Sequence, residues 1–164
     1  MCEAHGIEFF ASVFDEEKIE WCERLDVNLY KIASRTTVRE PKLCEQVIET
    51  GKPVYISLGM WEHEWLPFEN SNVKYFNCIS KYPTSIMDFK KFSYDERIVG
   101  FSDHSYGVAY ALYNVAHGAQ VVEKHFTLNK GMEGNDHIGS MDLGELKILR
   151  EYGKQFSNIS KAIR

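Results

Sequence analysis

The chain has 164 residues, enough for one domain with a buried core, and its 44% hydrophobic and 26% charged residues are the balance of an ordinary globular protein. A net charge of −5 argues against non-specific binding to nucleic acid. No apolar run approaches the ~20 residues of a membrane span, and "MCEAHG" lacks the charged-then-apolar pattern of a signal peptide. Cys2, Cys22, Cys44 and Cys78 are widely spaced, without a Cys-x-x-Cys pair, which points to reduced thiols in the cytoplasm.

In chain order, "MCEAHG" resembles a helix tail stopped by Gly6. Six short β-type runs then recur: "IEFFAS" to Ser12, "LYKIAS" to Ser34, "PVYIS" to Ser57, "YFNCIS" to Ser80, "RIVGFS" to Ser102 and "QVVEKH" to His125. Their ends stand 22 or 23 residues apart, and that regularity makes six weak signals one strong one. Between them, "DEEKIEWCERLD" reads as a helix capped by Asp15, and "PKLCEQVIETGK" as one starting at Pro41 with a Leu43, Val47, Ile48 stripe. "WEHEWLPFENSN" reads as a loop. "GVAYALYNVAHG" places Val108, Ala111, Leu112, Val115 and Ala116 on one helical face, with Gly118 as the stop. A last helix runs from Asp142, with Leu143, Leu146, Leu149 and Phe156 as its stripe.

Strand–helix alternation implies parallel strands with right-handed crossovers. Both a doubly wound sheet and a (β/α)8 barrel fit it. Polar strand ends favour the TIM barrel, because only there does every strand's carboxyl end open onto one shared site. The competing reading of each serine is a cap for the next helix. Six β/α units are fewer than eight, so the fold is predicted as a partial (β/α)8 TIM barrel whose first two units are missing.

Strand alternation assigns the faces. In "VVEKHFT", Glu123 and His125 share one face and Lys124 points the other way. In "FSDHS", Ser102 and His104 share a face opposed by Asp103. Hence His104, Glu123 and His125 are predicted to converge, and two imidazoles beside a carboxylate suit a divalent metal such as Mn2+. Lys31 heads the cationic candidates, with Arg35, Lys81, Lys124 and Lys130. Inside a strand it needs a partner. It could hold a phosphate with Ser12, Ser34, Ser57 and Ser102, form a Schiff base, or pair with a structural carboxylate. Asp136 and His137, in the glycine-rich "GMEGNDH", are placed to reach back over the site or to remain surface-loop residues.

Taken together, "GIEFFASVFD", "YKIAS", "GKPVYISLGM", "CISKYP" and "GFSDHSYGVAYALYNVAHGAQVVEKHFTLNKGMEGNDH" resemble the N-acetylneuraminate (sialic acid) synthase family over nearly the whole chain. The resemblance implies a TIM barrel that condenses phosphoenolpyruvate with N-acetylmannosamine or a related N-acylated amino sugar, giving a sialic-acid-like nonulosonic acid and phosphate. It implies Mn2+ or Mg2+ on His104 and His125, with Glu123 beside the reacting groups and acting catalytically with Lys31. Phosphoenolpyruvate would be bound by Ser12, Lys31, Ser34, Ser57 and Ser102. The sugar would be met by Lys81, Tyr82 and Asp136. Of the family's full-length members it implies a homodimer.

The sequence also departs from that pattern. Lys81 stands where the family often has Asn, which leaves the sugar open. Asn129 replaces a common Asp, and the segment after Met60 lacks a long helix. The family's first strands, with a glutamate near the metal and a lysine for phosphoenolpyruvate, do not occur in residues 1–164, nor does its antifreeze-like C-terminal domain. The chain is therefore expected to be the C-terminal three-quarters of the synthase barrel. Two further readings are a non-catalytic remnant or one part of a split synthase, and a Schiff-base aldolase using Lys31.

Overall fold

The short apolar runs and helical stripes are realised as strands and helices in chain order. The computed structural model describes residues 1–163, which fall into two units, one from Met1 to Tyr75 and one from Phe76 onward.

In the first unit, β1 (Ala11–Ser12), β2 (Tyr30–Ile32) and β3 (Val54–Ser57) pair in parallel, with Ser12 opposite Lys31 and Lys31 opposite Tyr55. Tyr30, Ile32, Val54 and Ile56 are completely buried. They alternate with Lys31, Tyr55 and Ser57, as the period of two requires. Helix α1 (Glu16–Arg24) opens on Asp15, whose carboxylate accepts the Lys18 N–H at 2.9 Å and so satisfies one orphan donor of the first turn. It is tied to β2 by Tyr30, whose hydroxyl donates to Glu23 at 2.6 Å, while Lys52 reaches the same carboxylate at 3.0 Å.

Helix α2 (Ser34–Arg39) is not legible in "SRTTVR", where three β-branched residues disfavour a helix. Burial of Thr36 and Thr37 overrides that local preference. Helix α3 (Pro41–Glu49) begins with Pro41 where a missing N–H is harmless, and it buries Leu43, Cys44, Val47 and Ile48. Residues 58–72 form turns without a helix, as expected. Tyr75 holds this loop: its hydroxyl accepts the Phe68 N–H at 3.0 Å and donates to the Phe68 carbonyl at 2.7 Å.

Strand β4 (Val73–Cys78) begins in the first unit and ends in the second. In the second unit β5 (Ile98–Asp103) pairs in parallel with β6 (Val121–Lys124), placing Ser102 opposite Glu123 and Asp103 opposite Lys124. Phe101, Tyr110 and Ala119 form its buried core, flanked by Ile79, Phe92 and Tyr94. Helix α4 (Ala109–Ala116) presents Tyr110, Ala111 and Asn114 to that core, so the buried face is rotated from the apolar one expected, and Ala116 is exposed. Asn114 is accommodated because its amide donates to the Tyr110 carbonyl at 2.8 Å and accepts from the Tyr94 hydroxyl at 2.7 Å. Gly118, at φ 119°, takes the turn out of α4. Helix α5 (Leu143–Ala162) starts with a reciprocal Asp142–Glu145 capping box and packs on α4. Leu146, Leu149 and Phe156 are half-buried, whereas Leu143 is exposed.

All four cysteines are free thiols. No helix among the described residues is long and apolar enough to cross a membrane.

Candidate active site

In the second unit, the ends of β5 and β6 and two loops enclose a small cavity of about 30 Å³. His104 and His125 line it together with Tyr82, Pro83, Asn135 and Asp136. The two imidazoles stand 6.0 Å apart between ring centroids. His104 Nδ1 lies 2.8 Å from the Ile79 carbonyl. A carbonyl can only accept, so Nδ1 carries the proton and Nε2 keeps its lone pair. Burial, opposed by that hydrogen bond, lowers the His104 pKa and favours the neutral ring. Cys78 Sγ lies 3.8 Å from the same nitrogen.

Two loops are fastened to these strand ends. The Thr84 N–H donates to the His104 carbonyl at 2.9 Å, which holds the segment carrying Tyr82 against β5. The Tyr82 ring then lies on His104 at 3.9 Å and meets His125 edge-on at 6.0 Å. The Tyr82 hydroxyl is pushed up to about 12, by desolvation first and by the acids of Cys78, Glu123 and Asp136 second, so it stays a donor at neutral pH. The loop after β6 is closed at its base, because the Met141 N–H donates to the His125 carbonyl and the Thr127 N–H to the Met141 carbonyl, both at 2.9 Å. Within it, Ser140 Oγ donates to the Asp136 carbonyl at 2.8 Å. These bonds bring Asp136 to the cavity.

Other expected residues lie elsewhere. Lys81 turns to Asp88 in an exposed ion pair and does not line the cavity. His137 donates from Nδ1 to Thr127 Oγ1 at 2.8 Å, since that hydroxyl spends its own proton on the Asn129 carbonyl. Lys130 pairs with Glu145 at 2.7 Å. Glu123 sits opposite Ser102 in the β5–β6 register, and Ser102 is buried.

In the first unit, Lys31 is 3% exposed. Its ammonium donates to the Ser57 hydroxyl and to the Ile32 carbonyl, each at 2.8 Å. Ser34 is buried as the first residue of α2, and its hydroxyl accepts the Gly59 N–H at 2.9 Å. Ser12 is exposed at the end of β1, and its side chain caps no helix. Thus Lys31 and Ser57 are brought together as expected, Ser34 anchors the loop after β3, and Ser12 remains open to solvent.

The sequence reading does not identify Ile79, whose carbonyl fixes the His104 tautomer, because a backbone acceptor has no signature. Nor does it give Lys124 and Asp103 a role. They form an ion pair at 2.9 Å with side chains 1% and 0% exposed. Their opposed faces in "SDHS" and "EKHF" are the signal that could have paired them.

The histidines fit a divalent metal in part. A neutral imidazole whose Nδ1–H is held by a carbonyl is the usual form of a metal-bound histidine. No group of three or more His, Cys, Asp or Glu side chains among the described residues is close enough to hold a metal.

Parallel strands in chain order, joined by helices or loops and followed by polar side chains, define an α/β fold with its candidate site beyond the carboxyl ends of β5 and β6. The chain belongs to the NeuB family, whose model matches residues 1–163. It is 38% identical over 156 residues to an uncharacterised protein of Methanocaldococcus jannaschii, covering 87% of this chain and 46% of that protein. It is 33% identical over 167 residues to the pseudaminic acid synthase of Campylobacter jejuni, covering 92% and 48%. Among solved structures, the N-acetylneuraminic acid (sialic acid) synthetase of Leptospira borgpetersenii, in complex with citrate, superposes with a TM-score of 0.81 at 25% identity, covering 96% of this chain and 59% of that one. The chain spans about half the length of the curated relatives it matches.

Proposed function

We propose that this chain carries the barrel chemistry of a synthase that condenses phosphoenolpyruvate with N-acetylmannosamine or a related N-acylated amino sugar. The product would be a nonulosonic acid, with release of phosphate. The observation that carries the reading is the pair of imidazoles at one cavity, one of them held neutral with Nε2 left as an acceptor.

A carbon–carbon bond forms between the methylene carbon of phosphoenolpyruvate and the aldehyde carbon of the open-chain sugar. Water adds at the former enol carbon, and the C–O bond to phosphate breaks, so phosphate leaves with its bridging oxygen. His104 and His125 would hold Mn2+ or Mg2+, which supplies Lewis acidity toward the aldehyde oxygen when bound. Tyr82 and Asp136, which line the same cavity, would hydrogen-bond the sugar. Glu123, on the strand that leads to His125, is the candidate for moving a proton at the reacting centre. In the first unit Lys31 and Ser57, with Ser34 and Ser12, are the candidates for phosphate and carboxylate, and in the second unit Ser102 is. Lys31 is read as a clamp rather than a Schiff-base nucleophile because the condensation needs no covalent enzyme intermediate, and its ammonium donates to Ser57 and Ile32. Borohydride trapping with substrate separates the two readings, since only a Schiff base leaves a covalent adduct on Lys31.

The test is release of phosphate from phosphoenolpyruvate in the presence and absence of N-acetylmannosamine. Sugar-dependent release that is lost on chelation and in His125→Ala is expected. Release that survives exhaustive metal removal would overturn the reading.

A further inference from the structure

We infer that Lys124 and Asp103 are positioning residues that set the two histidines against each other from beneath the cavity, which Asp103 also lines. Lys124 directly precedes His125, and Asp103 directly precedes His104. They are register partners in the β5–β6 pair. The Lys124 ammonium donates to Asp103 Oδ2 at 2.9 Å and to the Ser105 carbonyl at 2.6 Å. The other Asp103 oxygen accepts the Ser105 N–H at 2.9 Å and the Ser105 hydroxyl at 2.7 Å.

The residues before and after His104 are thus both bound to one ammonium, and that ammonium belongs to the residue next to His125. A rotation of either strand end would break at least one of these directed bonds. The bonds are shielded from water, which strengthens them and makes their loss costly. An apolar pair of similar volume can hold two strands as firmly as a buried ion pair does, but its contacts have no direction. What the ionic cluster adds is orientation of the backbone that carries the imidazoles, as hydrogen bonds behind metal ligands do.

This inference rests on the metal reading of the histidine pair, and its test separates the two. The full chain is labelled with 15N-histidine, and the imidazole signals are compared in wild type, Lys124→Met and the apolar pair Asp103→Leu/Lys124→Met, with thermal unfolding recorded for each. The apolar pair is expected to fold while the signals of His104 and His125 move and those of His117 stay. Mn2+ affinity is expected to fall ~10–100-fold. If the apolar substitutions do not fold, Asp103→Glu keeps both charges but displaces the carboxylate, and the same two imidazoles are expected to move. Imidazole signals and Mn2+ affinity unchanged from wild type in a folded variant would overturn the inference. If wild type binds no Mn2+ yet the signals still move, the metal reading fails and the positioning role stands.

Discussion

The ring of Tyr82 lies on the ring of His104, 3.9 Å between centroids and inclined by 34°. It covers the imidazole whose Nδ1–H is held by Ile79, and burial lowers the pKa of that imidazole. Tyr82→Ala should rehydrate the ring and bring its pKa back toward the ordinary value of about 6.5, whereas Tyr82→Phe should leave it lowered. An NMR titration of His104 reads both. Because the folded value is depressed, stability is present above about pH 6.5 and is lost as pH falls through the folded value. Tyr82→Ala should shrink that acid loss.

The Glu23–Tyr30 bond gives a second pH signature. The Tyr30 hydroxyl first, and Lys52 after it, hold the Glu23 carboxyl below its usual range, while burial and Glu23 push Tyr30 above its own. Glu23 therefore contributes stability that is present above about pH 4.3 and lost as pH falls below it. Tyr30 contributes stability that is present below about pH 10 and lost as pH rises. Tyr30→Phe should cost about 1.5 kcal/mol near neutrality. It should also flatten both limbs in urea unfolding measured against pH.

Gly100 in β5 has no room for a side chain. A Cβ there would run into the Phe76 ring, and Phe76 is 2% exposed. Gly100→Ala should destabilise by about 1–3 kcal/mol through overpacking. The double substitution Gly100→Ala/Phe76→Leu should recover part of the loss, because the smaller side chain removes the ring that is struck. Chemical denaturation of the single and double variants checks this.

Lys31→Met should reduce phosphoenolpyruvate affinity at least tenfold if its ammonium clamps the phosphate, since a charge-assisted bond of that kind is worth about 1.5–3 kcal/mol. Ser57→Ala should reduce it less, because the ammonium stays and loses one acceptor. Isothermal titration with phosphoenolpyruvate distinguishes these from an unchanged affinity, which would leave Lys31 a purely structural donor.

Much of the arrangement is legible in the sequence. The 22- or 23-residue spacing located the strands, and the strand ends it marked carry the two histidines that line the cavity. Asp15, Pro41 and Asp142 marked helix starts because capping is local chemistry. Helix α2 was not legible, since tertiary burial rather than propensity makes "SRTTVR" helical. The direction of Lys81 was not legible either: Asp88, seven residues on, meets it only because the chain turns after β4. The Ile79 carbonyl could not be read at all, for every residue has one.

The most direct test of the histidine pair is a Mn2+ titration of the chain followed by electron paramagnetic resonance, repeated with His104→Ala and His125→Ala. One saturable site in wild type, lost or weakened at least tenfold in either variant, is expected. A wild-type chain that binds no Mn2+, or variants that bind it as tightly as wild type does, would contradict the assignment of these two imidazoles to a metal.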